Sequence, residues 1–328
     1  MSVLWVLRRF LQIIPLTIAV LVVNFMLIHV APGDPASALA GENAPPEFVE
    51  ALRSSYGLDR PLYLQFLAYV GRLVRGDLGY SFAYHRPVLD VIAERLPATL
   101  LLVLTALIPA IVLGTLLGAY AANRGGRLRD RVTSSIAVAA YSAPVFWTGM
   151  LMILVFANWL GWFPTSGMRS LGGNSADQGW FGATVDVLHH LALPAVALFL
   201  VNCPIYMRLT RATMMGVLKE DFLVSAKSIG YPRRTIVYRH ALRNSLLPTI
   251  ATAGISMGVV FGGALLTETV FGWPGIGQLM YNAVLNRDYP VLLGGFLISA
   301  ISVGVFAALS DIASMVVDPR IRMGGARA

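Results

Sequence analysis

Residues 97–122 read PATLLLVLTALIPAIVLGTLLGAYAA, and this stretch decides the fold class. Its 26 residues include no Asp, Glu, Lys or Arg. An α-helix rises about 1.5 Å per residue, so this stretch as a helix is long enough to cross a hydrocarbon core about 30 Å thick. A surface helix of a soluble protein needs a polar face, which this stretch lacks. We therefore predict a transmembrane helix.

Five further apolar stretches of similar length divide the rest of the chain. Their approximate bounds are 10–30, 132–159, 190–214, 246–271 and 291–316. Apolar residues make up 56% of the sequence and charged residues only 13%, whereas a soluble protein carries about 25% charged residues. We therefore predict an all-α polytopic membrane protein with six transmembrane helices.

The Lys and Arg residues indicate the orientation of these helices. The side that holds both termini has 17 of the 25 Lys and Arg residues, and the opposite side has 8. Because cytoplasmic loops carry the excess of basic residues, we predict that both termini are cytoplasmic. The net charge of +8 then reflects topology, and we expect no nucleic acid partner. We therefore predict that the chain divides into 1–30 with helix 1, an extracytoplasmic segment 31–96, a membrane core 97–316 with helices 2–6, and a cytoplasmic tail 317–328.

Segment 31–96, between helices 1 and 2, contains signals for two short helices. The first begins at Pro46 and stops at Gly57, and the second begins near Pro61 and stops at Gly76. Proline early in a helix and glycine just past its end are boundary signals. We predict a small helical cap packed on the membrane bundle. A direct role in handling the substrate remains an alternative.

The most informative loop is 216–248, which reads GVLKEDFLVSAKSIGYPRRTIVYRHALRNSLLP. Residues 219–229 have the pattern of a short helix. Gly230 can adopt the left-handed conformation that ends it. Pro232 can then begin a second helix. The sequence predicts a helix-turn-helix outside the bilayer, within the cytoplasmic loop 216–243.

The first of these two helices has a charge order and an apolar face. Asp221 lies in its first turn and Lys227 in its last, which matches the helix dipole. Phe222, Ala226 and Ile229 fall on one face. The second helix is basic and carries Arg233, Arg234, Arg239 and Arg243. A basic amphipathic helix is typical of a membrane-surface element, and a docking element for another protein is the sharper alternative.

This loop resembles the EAA loop of ABC-importer permeases. Gly230 stands at the position of the motif's glycine, and Ala226 retains the last alanine of Glu-Ala-Ala. Leu242 matches the second half of the motif. The stretch from Arg239 to Pro248 (RHALRNSLLP) is similar to the branch of the family that includes peptide and nickel permeases.

The resemblance extends over nearly the whole chain. Several short motifs are similar, in order and spacing, to those of the B-type subunit of dipeptide, oligopeptide and nickel importers. These motifs are PGDP at 32–35, YGLDRP at 56–61, GDLGYS at 76–81, ETVFGWPGIG at 268–277, RDYP at 287–290 and DPR at 318–320.

The resemblance implies the function and the partners. It implies a multi-pass protein of the bacterial plasma (inner) membrane, embedded in lipid, that imports peptides or a related small solute. It also implies a homologous second permease in a heterodimer, two ATPase subunits or domains, and an extracytoplasmic solute-binding protein. ATP and magnesium are expected on the ATPases, with no cofactor in this chain. Peptide, nickel, glutathione and sugar permeases share these motifs, so the solute stays open.

The resemblance also implies which residues couple the chain to its ATPases. They lie in the loop 216–243, which moves as a lever. The candidate coupling residues are Asp221, Phe222, Ala226, Lys227, Gly230, Arg233, Arg234, His240, Leu242 and Arg243.

A lone carboxylate lies at the predicted membrane margin. Glu268 is near the outer end of the fifth stretch, and Trp273, Pro274 and Gly275 follow it in a predicted turn. We predict an outer gate in which Glu268 forms hydrogen bonds or contacts an amine of the substrate. A solvated loop acid without such a role is the alternative.

Other classes of function find little support in the sequence. A phosphate-binding loop needs a lysine after a glycine, and the only lysines, Lys219 and Lys227, do not follow one. The single Cys203 excludes an intrachain disulfide and a multi-cysteine metal site. We predict no catalytic residue and no metal site. An ion-coupled secondary transporter remains the alternative, although its candidate ionisable residues, such as His29 and Asp311, lie near span ends.

Overall fold

The computed structural model describes residues 3–30, 36, 45–56, 60–81, 83–123, 132, 135, 137–139, 141–170, 179–262 and 264–317. These residues are mostly helical, as predicted, apart from one two-stranded hairpin. The helices before the hairpin are α1 (Val3–Leu11), α2 (Ile13–Val30), α3 (Pro46–Tyr56) and α4 (Leu62–Val74). The hairpin strands are β1 (Tyr80–Ser81) and β2 (Arg86–Pro87), antiparallel, with Tyr80 opposite Pro87.

The remaining helices include the long membrane-type helices of the chain. They are α5 (Val88–Asn123), α6 (Val145–Trp159), α7 (Gly179–Val217), α8 (Asp221–Ser228), α9 (Arg233–Phe261), α10 (Leu265–Val270), α11 (Ile276–Leu285) and α12 (Tyr289–Val317). The second half of α6, Ile153–Trp159, and the segment Ile236–Ala241 of α9 are π-helical.

Within the described residues, five helices are long and apolar enough to cross a membrane. They are Leu7–Leu27, Val88–Asn123, Gly179–Val217, Arg233–Phe261 and Tyr289–Val317. Each overlaps one of the predicted spans, so the chain is a polytopic membrane protein. The predicted third span, 132–159, lies partly outside the described residues. Its described helix, α6, begins just after Pro144 and is shorter than the other five.

Two predicted helix boundaries were wrong because the membrane boundary is not a helix boundary. The second membrane helix, predicted from residue 97, begins at Val88 directly after the hairpin, with Asp90 in its first turn. The fourth, predicted from residue 190, begins at Gly179. These helices have 36 and 39 residues, whereas about 20 cross a bilayer. Both therefore extend beyond the apolar layer.

The predicted fifth span, 246–271, was wrong at both ends. Its helix, α9, begins at Arg233 and ends at Phe261. Gly262, a poor helix former, lies in the turn that follows. Glu268 consequently lies on the separate short helix α10, outside the five candidate spans. The two helices predicted within 31–96 are confirmed as α3 and α4.

The chain forms two compact units, and the first comprises Met1–Leu100 and Gly258–Val305. One core of this unit joins the start of α5 to α11 and the start of α12. Its fully buried members include Val88, Ile92, Ile276 and Val291. Two polar contacts between distant segments add to it: Asn24 donates to the Leu293 carbonyl over 3.1 Å, and the Ser81 hydroxyl donates to the buried Asp288 carboxylate.

The second unit comprises Leu101–Met257 and Phe306–Ala328. Its helices α5 and α7 cross closely because two glycines, one turn apart, face α7. A Cβ atom added to Gly114 would lie 2.5 Å from the Cys203 carbonyl oxygen, and one added to Gly118 would lie 2.5 Å from that of Met207. Such spacing of small residues is a common device for packing membrane helices.

Candidate functional site

The candidate coupling site is the segment 218–243, which we call the coupling segment. It begins after α7, forms α8 over Asp221–Ser228, turns at Gly230 and enters α9 after Pro232. Gly230 has φ +90°, the left-handed conformation that the sequence predicts. The second predicted helix, however, is not separate from the membrane span. Thr235, Ile236 and Leu242 all belong to the continuous helix α9.

One apolar side chain of α8 anchors the coupling segment to the second unit. Leu223 is buried in a cluster with Met214 of α7 and Val237 of α9. Ala119 and Ala122 of α5 and Ala241 of α9 complete the cluster. Leu223 was not among the residues predicted from the sequence. Its spacing of three residues from Ala226 and seven from Gly230 was the available signal, because such residues share one helix face.

The predicted apolar face of α8 is exposed rather than packed. Phe222 is 39% exposed and Ile229 is 78% exposed, while Ala226 is half-buried. Two further apolar side chains nearby, Val224 and Tyr231, are 59% and 48% exposed. Phe222 and Ile229 are seven residues apart and fall on one side of the helix, whereas Val224 falls on another. Exposed apolar side chains of this kind are typical of a surface that binds another protein. We call Phe222, Val224, Ile229 and Tyr231 the apolar patch.

Two of the predicted coupling arginines bind helix ends within the chain. Arg233 donates from Nε to the Asn123 side-chain oxygen and from Nη2 to the Asn123 carbonyl, both over 3.0 Å. Arg243 donates to the Val317 carbonyl over 3.0 Å. Asn123 and Val317 are the last residues of α5 and α12, so both guanidiniums neutralise carbonyls at helix C-termini. These contacts within the chain were not predicted from the sequence, which indicated only an external partner for these arginines.

The other candidate coupling residues are distributed between the surface and the interior. Asp221, Lys227 and Arg234 are exposed, and Leu242 packs against the Leu223 cluster. His240 is half-buried, with its ring centroid 5.4 Å from that of Tyr231. The coupling segment therefore has one packed side and one side that presents apolar and charged groups.

The predicted gate residues lie in the first unit, where Glu268 is fully buried. Its carboxylate accepts hydrogen bonds from the Thr99 hydroxyl over 2.9 Å and from the Gln278 amide over 3.0 Å. The Thr99 hydroxyl in turn accepts a bond from the Ile276 amide over 2.8 Å. We call this arrangement the Glu268 clasp. The alternative of a solvated loop acid was wrong.

Trp273 and two glycines complete the clasp. Trp273 is fully buried, and its indole donates to the Ala98 carbonyl over 2.8 Å. A Cβ atom on Gly275 would overlap the Glu268 carboxylate, and one on Gly277 would lie 2.6 Å from Leu265 Cα. Glycine is therefore needed at both positions for the chain to approach the carboxylate. Pro274, between Trp273 and Gly275, has no described hydrogen-bonding role.

Burial sets the electrostatic character of the clasp. It raises the pKa of the Glu268 carboxyl above its ordinary value, and the hydrogen bonds from Gln278 and Thr99 oppose that rise in part. Because both oxygens already accept bonds inside the protein, the carboxylate is not presented to a substrate amine. The sequence alone did not reveal Thr99, which lies 169 residues away.

Comparison with known protein families decides between the functions left open by the sequence. The family described as "Binding-protein-dependent transport system inner membrane component" matches residues 114–323. Its N-terminal counterpart, described as "Binding-prot-dependent transport system membrane comp, N-term", matches residues 2–103. The chain belongs to this family of importer membrane components. The two matches cover the coupling segment and both parts of the Glu268 clasp.

The curated relatives are permease subunits, and they match this chain over almost their full length. The glutathione transport system permease protein GsiC of Escherichia coli is 36% identical over 318 residues, which cover 97% of this chain and 98% of that protein. The di/tripeptide transport system permease protein DppB of Pseudomonas aeruginosa is 38% identical over 96% of this chain and 97% of its own length. The dipeptide permease DppB of Alkalihalophilus pseudofirmus is 34% identical over 97% and 99%.

These findings confirm the resemblance inferred from the sequence motifs. The chain is a membrane subunit of an ABC importer and a multi-pass protein of the bacterial inner membrane. Nothing in the comparisons favours an ion-coupled secondary transporter.

Proposed function

We propose that this importer subunit moves di- or oligopeptides, or a related small peptide such as glutathione, into the cytoplasm. The support is that relatives named for di/tripeptide, dipeptide and glutathione transport match nearly the whole chain. A homologous second permease completes the pathway, and a solute-binding protein delivers the peptide. ATP and magnesium act on separate ATPase subunits. The chain has six spans with both termini cytoplasmic, and 31–96 is extracytoplasmic.

The coupling segment transmits the ATPase motion in this proposal. The single observation that carries the proposal is that its apolar patch is exposed while Leu223 anchors the same helix to the membrane unit. An exposed patch provides desolvation energy to a partner, and the anchor keeps the segment from moving independently. When ATP closes the ATPases, the segment displaces α7 and α9, which continue from its two ends. The importer then shifts from inward-open to outward-open.

The Glu268 clasp has a positioning role in this scheme. Its hydrogen bonds hold the α10–α11 hairpin against the start of α5. A rigid hairpin there gives the delivered peptide a fixed surface at the outer margin of the membrane. Glu268 therefore shapes the predicted gate and does not bind the substrate amine.

The proposed coupling is tested by replacing Ile229, the most exposed member of the apolar patch. We expect Ile229→Asp to leave the thermal stability of the chain unchanged within about 0.5 kcal/mol, because the site is exposed. ATPase subunits should no longer co-purify, and peptide uptake should fall at least tenfold, since a docking anchor is worth about 2 kcal/mol or more. Val74→Asp, at a residue 82% exposed in the first unit, is the matched control. Unaltered ATPase association in Ile229→Asp contradicts the proposed coupling.

The proposed orientation has a separate test. We expect a cysteine at position 221 to resist a membrane-impermeant thiol reagent in intact cells, and a cysteine at position 169 to react. Both native residues, Asp221 and Arg169, are exposed, so accessibility reports the side of the membrane. Labelling of the cysteine at 221 without lysis would reverse the orientation.

A further inference from the structure

A cavity of about 640 Å³ lies in the second unit beside α7 and α9. Its polar lining consists of Arg208 and Arg211 of α7, Thr252 of α9 and Tyr141. The rest of the wall is aliphatic. Sites for small molecules have volumes of about 300–1,000 Å³ and combine apolar walls with a few polar groups, so this cavity has the size and lining of a binding site.

The charge of this cavity is positive. The Arg208 guanidinium carbon lies 5.6 Å from the centroid of the Tyr141 ring, an arrangement that fixes the cation over the aromatic face. Arg211 is three residues further along the same helix, so both side chains share one face. Among the described residues that line the cavity there is no Asp or Glu. Within the described part of the chain, Arg208 makes no ion pair.

The two arginines occur where the apolar part of α7 ends. Residues 191–207 contain no charged side chain, and Arg208 is the first cation after them. It precedes Val217, the last residue of the helix, by nine residues, or about 14 Å. An arginine at this depth commonly extends to the headgroup region along a helix surface. Here both arginines instead line a concave wall built from three parts of the chain, which is typical of a substrate or ion pathway.

We propose that this cavity, the Arg208 site, binds an oxyanion, and that its occupant is the carboxylate of the solute during passage. The proposal rests on the proposed function, since peptides carry a carboxylate. A carboxylate that enters an apolar interior needs a paired cation with hydrogen bonds. A guanidinium matches carboxylate geometry with two parallel donors. The phosphate of an acidic lipid is also an oxyanion that a guanidinium can bind. The second experiment below distinguishes this source from the carboxylate of the solute.

The Arg208 site is connected to the coupling segment through two hydrogen bonds between α7 and α9. Thr210 and Thr249 join their hydroxyls over 3.0 Å, and Thr213 donates to the Ser245 carbonyl over 3.2 Å. The first bond lies at the level of the cavity on α7, and the second lies between the cavity and the coupling segment along both helices. Movement of the segment therefore alters the wall that holds the carboxylate, so binding and release follow the ATPase cycle.

The first experiment tests the oxyanion chemistry with thiol reagents of opposite charge. Ala212 is exposed and lines the cavity, so Ala212→Cys reports its potential in the whole transporter, and wild type with its buried Cys203 gives the background. We expect anionic sulfonatoethyl methanethiosulfonate to react faster than its cationic trimethylammonium analogue. Adding Arg208→Gln should lower this rate ratio roughly fivefold, whereas Arg208→Lys should retain it. The exposed Arg75→Gln is the matched control. An unchanged ratio in Arg208→Gln overturns the site.

The second experiment identifies the source of the oxyanion. Trialanine and trialanine amide are supplied with the solute-binding protein and ATP to the transporter in proteoliposomes with or without phosphatidylglycerol, whose enclosed lumen allows uptake to be measured. We expect trialanine to slow labelling of Ala212→Cys at least fivefold more than the amide does. Arg208→Gln should lower trialanine uptake about tenfold, because the substitution removes one charge-assisted hydrogen bond to the carboxylate. Protection by phosphatidylglycerol alone, or wild-type uptake in Arg208→Gln, overturns the assignment to the solute. Absence of trialanine uptake in wild type instead contradicts the proposed peptide function.

Discussion

The coupling segment and the Glu268 clasp are built from similar parts and have opposite surfaces. Each is a short helix followed by a turn with a left-handed glycine, Gly230 in one and Gly272 in the other. In the clasp, the conspicuous residues Glu268 and Trp273 are fully buried. In the coupling segment, the conspicuous residue Ile229 is largely exposed.

This difference in exposure indicates that the two motifs have different roles, one in folding and one in binding a partner. The polar groups of the clasp form hydrogen bonds with one another, because a carboxylate, a hydroxyl and backbone amides pair inside one unit. The coupling segment leaves apolar side chains exposed to solvent, because in the proposed function they pack against a different protein. Substitutions in the clasp should therefore destabilise the chain, and substitutions in the coupling segment should affect assembly and transport.

The largest effect is expected when the clasp loses its carboxylate. We predict that Glu268→Ala lowers the free energy of unfolding by about 2–4 kcal/mol, because buried donors on Thr99 and Gln278 lose their acceptor. Thermal unfolding of the detergent-solubilised transporter measures this. Glu94→Ala is the matched control, since Glu94 is exposed and, within the described residues, forms an ion pair with the exposed Arg86. Its expected loss is at most about 1 kcal/mol. Equal stability of the two variants would show that the clasp contributes nothing to the fold.

An intermediate effect is expected at the turn of the coupling segment. We predict that Gly230→Val costs about 1–2 kcal/mol in the local turn, because a side chain is strained at φ +90°. Since no described atom outside Gly230 and its two chain neighbours lies within 4 Å of an added Cβ, the strain is in the backbone alone. ATPase activity should lose its dependence on the loaded binding protein, while the chain still inserts in the membrane.

The matched control for this turn is Gly216→Val. Gly216 also has open space around an added Cβ, but its helical backbone accepts a side chain. Stimulation of the ATPase should stay within twofold of wild type in this control. A coupled, wild-type response in Gly230→Val would show that the left-handed turn is not needed for coupling.

The elements of this fold that depend on local sequence were predictable. Gly230 predicts a turn, and Pro46 predicts the start of a helix. The apolar stretches predict membrane helices, and each of these signals lies in a single residue or a short window. The helix through Arg233–Phe261 was not predicted as one element, because the edge of an apolar stretch was taken as a helix end. Pro248 lies where the basic part of this helix gives way to its membrane part, and the helix nevertheless continues through it.

The contacts that define the candidate sites were not predictable from local patterns. Thr99 and Glu268 are 169 residues apart, and Arg233 and Asn123 are 110 residues apart. Periodicity gives the face on which a residue lies but not the element it meets. The tight crossing at Gly114 and Gly118 carried a usable signal, because two glycines four residues apart on an apolar helix favour close packing.

The smallest expected effect is that of replacing one of the adjacent arginines Arg233 and Arg234. Comparing the two variants distinguishes an arginine that stabilises the chain from one that binds the ATPase. Arg233 binds the Asn123 carbonyl and side chain, so Arg233→Ala should lower stability by about 0.5–1 kcal/mol. The Asn123→Ala variant removes only the side-chain acceptor and should cost less. The double variant should cost less than the sum of the two, because the changes remove one shared contact.

Arg234 is exposed and should behave in the opposite way. We predict that Arg234→Ala leaves stability unchanged and weakens ATPase association severalfold at low salt, with the difference disappearing at high salt because exposed charges are screened. Thermal unfolding and co-purification at two ionic strengths measure both quantities in both variants. If Arg233→Ala instead gives the salt-dependent loss of association and no loss of stability, its contacts with Asn123 do not stabilise the chain, and the sharp division between packed and presented residues fails at this position.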